Sequence, residues 1–135
     1  MTAMQRRNAA LSLVALVALG TATGCEKQSP WVTVTAGGTV VKARATKYCR
    51  EDGKCNESTD KPVITIKQGD TLGIDVPRSV AEDGWRVPNV FGELILHDHY
   101  RAVTIPQVQT GDIDLVVVRD ERRGEGEWHF TLHVE

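Results

Sequence analysis

Alternation of apolar and polar residues is the feature of this chain that most restricts its fold. The C-terminal segment shows it most clearly, with Trp128, Phe130, Leu132 and Val134 separated by single polar residues. Successive side chains of a β-strand point to opposite faces, so this period places the four apolar side chains on one face. We found no convincing helical period after residue 30, and the pattern therefore predicts an all-β body.

The same alternation recurs in shorter segments along the chain. These segments cover residues 31–35, 39–45, 63–67, 71–76, 93–105 and 112–117. Residues typical of turns separate most of them, and residues 78–88 and 119–127 are predicted as loops, the latter a solvated hairpin connection. The apolar residues of 63–67 and 71–76 are predicted to share one face across a hairpin or a corner. We expect an antiparallel, immunoglobulin-like β-sandwich of seven to eight strands, with a barrel as the alternative.

The first 24 residues have the composition of an export signal. Arg6 and Arg7 precede an apolar run at 9–19, and small residues follow at 20–24. That order is typical of a secretory signal peptide, which forms an N-terminal helix before its removal. The apolar run is shorter than the roughly 20 residues that a membrane-spanning helix needs. We therefore predict a signal peptide at 1–24 rather than a permanent span.

The residues Ala22-Thr23-Gly24-Cys25 resemble the lipobox of bacterial lipoproteins. In those proteins the cysteine is alkylated by diacylglycerol and becomes the first mature residue, so the resemblance implies lipid attachment at Cys25. It also implies anchoring at the extracytoplasmic face of the cell membrane, with a tether at 25–30 and a sandwich domain at 31–135. A plain signal peptide is the alternative, but it would leave an odd thiol in an oxidising compartment.

The two remaining cysteines, Cys49 and Cys55, are separated by five residues and flank the turn dipeptide Asp52-Gly53. Export favours a disulfide between them. A metal site would need about four ligands, of which this pair supplies only two. We therefore predict a structural disulfide.

Composition and motifs exclude several classes of function. Lys plus Arg number 16 and Asp plus Glu 18, so the chain lacks the basic excess of a nucleic-acid-binding protein. It contains neither Gly-x-Ser-x-Gly nor His-Glu-x-x-His, and no glycine-rich loop that opens a helix. We expect no enzymatic activity, no cofactor, no resident metal and no nucleic-acid partner.

The four histidines leave a metal site open as an alternative. His97 and His99 would stand about 6.6 Å apart on a strand, which lets both bind one ion if a third ligand joins them. That ligand would be His129 or His133, which are too far apart, at about 13 Å, to share an ion themselves. Solvated histidines on a polar strand face are the favoured interpretation.

Trp85 follows Asp83-Gly84 in a predicted loop and has two interpretations. It either closes one end of the core, which is the more usual place for a large aromatic side chain, or is an exposed anchor for a partner. Trp85 is therefore the candidate partner-binding residue.

Two resemblances follow. The cysteine after the small-residue box, the Cys-x5-Cys loop and the all-β body resemble the small, uncharacterised lipoproteins of actinobacteria, which implies location and fold class. A second resemblance is to chagasin-type cysteine-protease inhibitors, and it rests on the layout of Gly69-Asp70, Gly84-Trp85 and 111–119. In this chain Ser79–Gly84 stands where their Asn-Pro-Thr-Thr-Gly loop lies.

The favoured function is a membrane-anchored, non-catalytic binding or structural module of unknown ligand. A protease inhibitor and a metal-binding lipoprotein are the alternatives.

Overall fold

The computed structural model describes residues 28–107 and 109–135 and shows two packed β-sheets, which confirms the all-β sandwich. The predicted signal peptide and Cys25 lie outside the described residues. Within the described ranges, no helix is long and apolar enough to cross a membrane.

Ten strands build the two sheets. They are β1 (Trp31–Ala36), β2 (Thr39–Arg44), β3 (Lys47–Cys49), β4 (Cys55–Glu57), β5 (Val63–Ile66), β6 (Thr71–Asp75), β7 (Trp85–Arg86), β8 (Tyr100–Thr104), β9 (Gly111–Arg119) and β10 (Gly126–Val134). One sheet has the order β2-β1-β6-β8, and the other β4-β3-β10-β9-β7, with β5 also paired to β10. Every pair is antiparallel except β5 with β10. The strand count exceeds seven to eight because β3, β4 and β7 are too short to show alternation.

Two short helices lie within the predicted loop 78–88 or begin at its last residue. They are α1 (Arg78–Asp83) and α2 (Pro88–Phe91), and a 3-10 helix covers Glu121–Arg123. Elements of six residues or fewer contain too few turns to show a helical period, which is why the pattern misses them. The segment 93–105, predicted as one long or two short strands, contains a single strand, β8. Residues 93–99 make only one bridge, Leu96 to Trp85.

The core follows the alternation closely. The four apolar residues of β10 are at most 2% exposed, as predicted. Ile64 and Ile66 belong to one sheet, and Leu72 and Ile74 to the other, so residues 67–70 form a corner rather than a hairpin. This corner carries the chain from one layer to the other and lets both strands face the same core.

The folded domain begins before Trp31. Ser29 is 2% exposed, and its hydroxyl accepts a hydrogen bond from the Ala45 amide at 3.0 Å. The Pro30 carbonyl accepts a hydrogen bond from the Trp128 indole at 2.9 Å. Ser29 and Pro30, predicted as the end of the tether, are therefore part of the sandwich.

Several connections lie at one end of the sandwich, the end from which the chain leaves toward Cys25. Trp31 pairs with Arg44 at this end, and Trp85 pairs with Arg119. The connection from β9 to β10, the β3–β4 hairpin and α1 all lie here. We call this the N-terminal end. The opposite end carries the turn at 37–38, the corner at 67–70 and Glu135.

Candidate functional site

Arg119 is the centre of a polar cluster at the N-terminal end. Its Nη2 lies 2.6 Å from Asp83 Oδ2, and its Nε donates to the same oxygen at 2.9 Å. Its Nη1 donates to the Cys49 carbonyl at 3.2 Å, and the guanidinium lies 5.0 Å from the centre of the Tyr48 ring. The Arg119 side chain is 7% exposed and that of Asp83 is 27% exposed. One side chain thus joins β9, α1 and the β3–β4 hairpin.

A second set of contacts holds β7 to the connection between β9 and β10. The Arg86 guanidinium lies 2.8 Å from a carboxylate oxygen of Glu93 and 2.8 Å from one of Glu121. The Asp120 amide donates to the Gly84 carbonyl at 2.8 Å. Exposed ion pairs contribute little individually, but here they reinforce backbone bonds between the same segments.

The connection from β9 to β10 is more ordered than the predicted solvated loop, because Arg119 and Asp120 are buried at its start. The Asp120 carboxylate accepts hydrogen bonds from the Arg122 amide at 3.2 Å and from the Arg122 guanidinium at 2.7 Å. The hydrogen bond from the Arg122 side chain lowers the pKa of Asp120 below its usual value. Asp120 thereby caps the 3-10 helix as a carboxylate.

The predicted disulfide between Cys49 and Cys55 is confirmed, and it joins paired residues of β3 and β4. The Cys49 amide also donates to the Glu125 carbonyl at 2.9 Å, which ties this hairpin to the connection between β9 and β10. The disulfide therefore belongs to the same group of contacts as Arg119.

Replacing Cys49 and Cys55 together with serine should lower the free energy of unfolding by about 2 kcal/mol, because the bridge closes only a short loop in the unfolded chain. Urea denaturation of residues 26–135, with and without a reductant, measures it. The reductant should destabilise the natural protein by the same amount and leave the double variant unchanged. Equal stability of the two proteins would show that the bridge contributes nothing.

Trp85 is a core residue. It is 0% exposed, its indole Nε1 donates to the Asp98 carbonyl at 2.7 Å, and its backbone pairs with Leu96 in both directions. Leu96 and Asp98 thus contact the residue that the sequence offered as a partner anchor. Trp85 cannot contact a partner in this structure, and its partner-binding role is replaced by a role in closing the core.

The histidines lie in two separate parts of the fold. His97 and His99 precede β8, whereas His129 and His133 lie on β10 in the opposite sheet. Across residues 28–107 and 109–135, no three His, Cys, Asp or Glu side chains are grouped closely enough to hold a metal ion. The described part of the chain thus lacks the geometry that the metal-binding alternative requires.

His133 is paired with Asp112 on the neighbouring strand, with 2.6 Å between Nδ1 and Oδ1. The hydrogen bond to the Asp112 carboxylate raises the pKa of His133 above its usual value. The pair therefore stabilises the fold fully below about pH 6.5, the ordinary histidine pKa, and its contribution is lost as the pH rises through the raised value. NMR titration should show the pKa of His133 falling in an Asp112→Asn variant. An unchanged pKa would mean that the pair does not form in solution.

Two open cavities border α1. One lies between α1 and residues 97–99, has a volume of about 650 Å³ and is lined by both acidic and basic side chains. The other is a cleft of about 440 Å³ between α1 and the β3–β4 hairpin, lined by Tyr48, Arg50, Ser79, Glu82 and Arg119, among others. We call the second cavity the hairpin cleft. Its walls are the segments that Arg119 and the disulfide hold together.

Arg119 and Asp83 were not among the residues predicted to form a site, although the alternation of β9 indicates that Arg119 points inward. Leu115 and Val117 are buried, and Arg119 continues their period, so its side chain enters the same inward-facing row. An arginine in such a row needs a buried partner. Nothing local in the sequence identifies that partner as Asp83, because the two residues are 36 positions apart.

Comparison with protein families gave one finding. The family model of the protein of unknown function DUF2771 matches residues 25–121, well over half of the chain. Comparison with curated proteins and with solved structures found no significant match. The match confirms the expectation of an uncharacterised family, and the lipoprotein and chagasin resemblances stay predictions. The chain belongs to the family of proteins of unknown function DUF2771.

Proposed function

We propose that this protein is a lipoprotein anchored through Cys25 to the extracytoplasmic face of the bacterial cell membrane. Its β-sandwich acts there as a non-catalytic binding module, without a cofactor and without enzymatic activity. The anchor is supported by the signal-like residues 1–24 and by the lipobox-like residues that precede Cys25. The binding role is supported by the construction of the N-terminal end.

The observation that carries the binding role is the hairpin cleft. The Arg119–Asp83 ion pair fixes one wall to β9, and the disulfide constrains the hairpin that forms the other. Loops held on a rigid scaffold are common binding surfaces, and loops that are already ordered lose less entropy when a partner binds. Ser79, Glu51 and Asp52 are exposed along the cleft and available to a ligand.

The position of the cleft restricts its partner. Gln28 is three residues from Cys25, so the covalent chain allows at most about 11 Å between their Cα atoms. The cleft lies at the same end of the sandwich as Gln28. A lipid on Cys25 would therefore hold the cleft near the membrane, where a membrane-attached partner can reach it.

Site-specific photo-crosslinking in intact cells tests the binding role. A photoreactive residue in place of Ser79 lies in the hairpin cleft, and one in place of Thr39 is a matched exposed control at the opposite end. We expect a discrete crosslinked species from position 79 that is absent at position 39. Identical patterns at both positions, or no crosslink at position 79, would contradict a binding site in the cleft.

Cell fractionation tests the anchor. A Cys25→Ala variant should leave the membrane fraction or accumulate with its signal peptide attached, because no thiol remains for lipid attachment. A Cys25→Ala protein that stays in the membrane fraction with the mass of the natural protein would contradict lipid anchoring.

A cysteine-protease inhibitor is the second candidate, and one specific observation favours it. The segment around Trp85 and the connection between β9 and β10 lie side by side, since Trp85 pairs with Arg119 and Arg86 contacts Glu121. An inhibitor that inserts two loops into a protease cleft needs this arrangement. Titration of papain with residues 26–135 decides the matter, because full activity at a large excess of the domain would eliminate this candidate.

A further inference from the structure

Trp31 is the first residue of β1 and differs from the other two tryptophans of the chain. Its side chain is 43% exposed, whereas Trp85 and Trp128 are 0% exposed. The exposed part of this indole is apolar surface that contact with another surface would bury. Its place, three residues after Gln28, is next to the point where the chain leaves toward Cys25.

Arg44 holds this indole in place. Its guanidinium lies 4.0 Å from the centre of the Trp31 ring, and the two residues are paired in register across β1 and β2. Arg44 Nη1 also donates to the Ser29 carbonyl at 2.6 Å. Both partners are neutral, so these contacts orient the guanidinium without neutralising its charge.

Other charges share this outer sheet face. Lys42 precedes Arg44 by two residues and therefore lies on the same face of β2, about 6.6 Å away. Asp75 is on the same face two strands away, and Asp60 accepts a hydrogen bond from the Arg44 amide. The corner nearest the anchor thus carries two cations and an exposed indole, with the Asp60 carboxylate bonded to its backbone and the Asp75 carboxylate two strands away.

We infer that Trp31 and Arg44 contact the headgroup region of an anionic bilayer and set the orientation of the domain on the membrane. The inference rests on the proposed lipid anchor: Trp31 is six residues from Cys25, so the covalent chain allows at most about 22 Å between their Cα atoms. Tryptophan favours the membrane–water interface, and a guanidinium matches the geometry of a lipid phosphate. Because the lipid anchor already holds the domain at the bilayer, this second contact is intramolecular in effect. One indole and two cations are then enough to orient the domain.

Tryptophan fluorescence tests the contact, because Trp31 is the one exposed indole among the chain's three. The lipidated protein, purified from membranes, is reconstituted into vesicles of phosphatidylglycerol and phosphatidylethanolamine. We expect brominated acyl chains to quench the exposed component of the emission and the bilayer to reduce its quenching by acrylamide at least twofold. Trp31→Phe should abolish both effects, while the buried Trp85 and Trp128 report an intact fold.

Variants at Arg44 test whether the protection of Trp31 depends on the charge of Arg44 or only on the closeness of the bilayer. Arg44→Gln should restore most of the acrylamide quenching of Trp31, and Arg44→Lys should retain part of the protection. Vesicles of phosphatidylcholine should protect Trp31 less than the anionic vesicles do. Equal protection by neutral and anionic vesicles would overturn the role of charge and with it the proposed contact.

Three further outcomes are distinguishable from one another. If the protein carries diacylglycerol but Trp31 is quenched equally by acrylamide with and without a bilayer, the contact is wrong and the anchor stands. If intact mass shows no lipid, the proposed anchor fails and the contact fails with it. Protection that depends on protein density without quenching by brominated lipid would assign this surface to a second copy of the chain and overturn the bilayer contact.

Discussion

Replacing Trp85 with alanine should lower the free energy of unfolding by about 3–5 kcal/mol, the range for deleting a large buried aromatic side chain. The indole is 0% exposed and loses both its packing and its hydrogen bond to the Asp98 carbonyl. Urea denaturation of residues 26–135 measures the change. A loss of this size is a large fraction of the roughly 5–15 kcal/mol by which native proteins are stable, and it would leave a domain at the lower end of that range close to unfolded.

Two variants make the result specific. Trp85→Phe keeps most of the packing but loses the indole donor, so it should cost less than Trp85→Ala. Trp31→Ala removes a tryptophan that is 43% exposed and should change stability far less. If Trp85→Ala left stability unchanged, Trp85 would be an exposed side chain, and its assignment to the core would be wrong.

Replacing Arg119 with leucine should cost about 2–4 kcal/mol, because it leaves the Asp83 carboxylate without its partner in a partly covered site. The expected loss lies below that of a fully buried pair since Asp83 is 27% exposed. Arg119→Lys should recover little stability, because Nε, Nη1 and Nη2 of the natural residue bind Asp83 and Cys49 together.

A double-mutant cycle with Asp83→Asn isolates the pair. Arg119→Leu combined with Asp83→Asn should cost less than the sum of the single changes, because the second change no longer breaks an intact ion pair. Arg78→Leu is the matched control, since the side chains of Arg78 and of its partner Glu82 are 92% and 63% exposed, and it should change stability by no more than about 0.5 kcal/mol. Additive single changes would mean that Arg119 and Asp83 do not act together.

The fold was predictable where apolar residues alternate over a full strand. β10 is the example, since all four of its predicted inward residues are buried. Elements that are too short to show a repeating pattern of apolar residues were not predicted, as α1 and the two-residue strand β7 show. The pairing of β5 with β10 also escaped, because it is a parallel contact between segments far apart in the chain.

The candidate site was predictable only in its local part. Cys49 and Cys55 are close in sequence and flank a turn, so their pairing followed from spacing and compartment. Asp83 and Arg119 meet through tertiary packing, which no local pattern contains. Trp85 shows the converse, since it stands among loop-like residues in the sequence and its contacts come from Leu96 and Asp98, more than ten positions away.

The mass of the mature protein tests the central claim most directly, because location, orientation and accessible partners all follow from the anchor. We predict that protein purified from cell membranes begins at Cys25 and that its N-terminal peptide carries a diacylglycerol group on that cysteine. An N-terminal peptide that begins at Met1, or that contains an unmodified Cys25, would contradict the account.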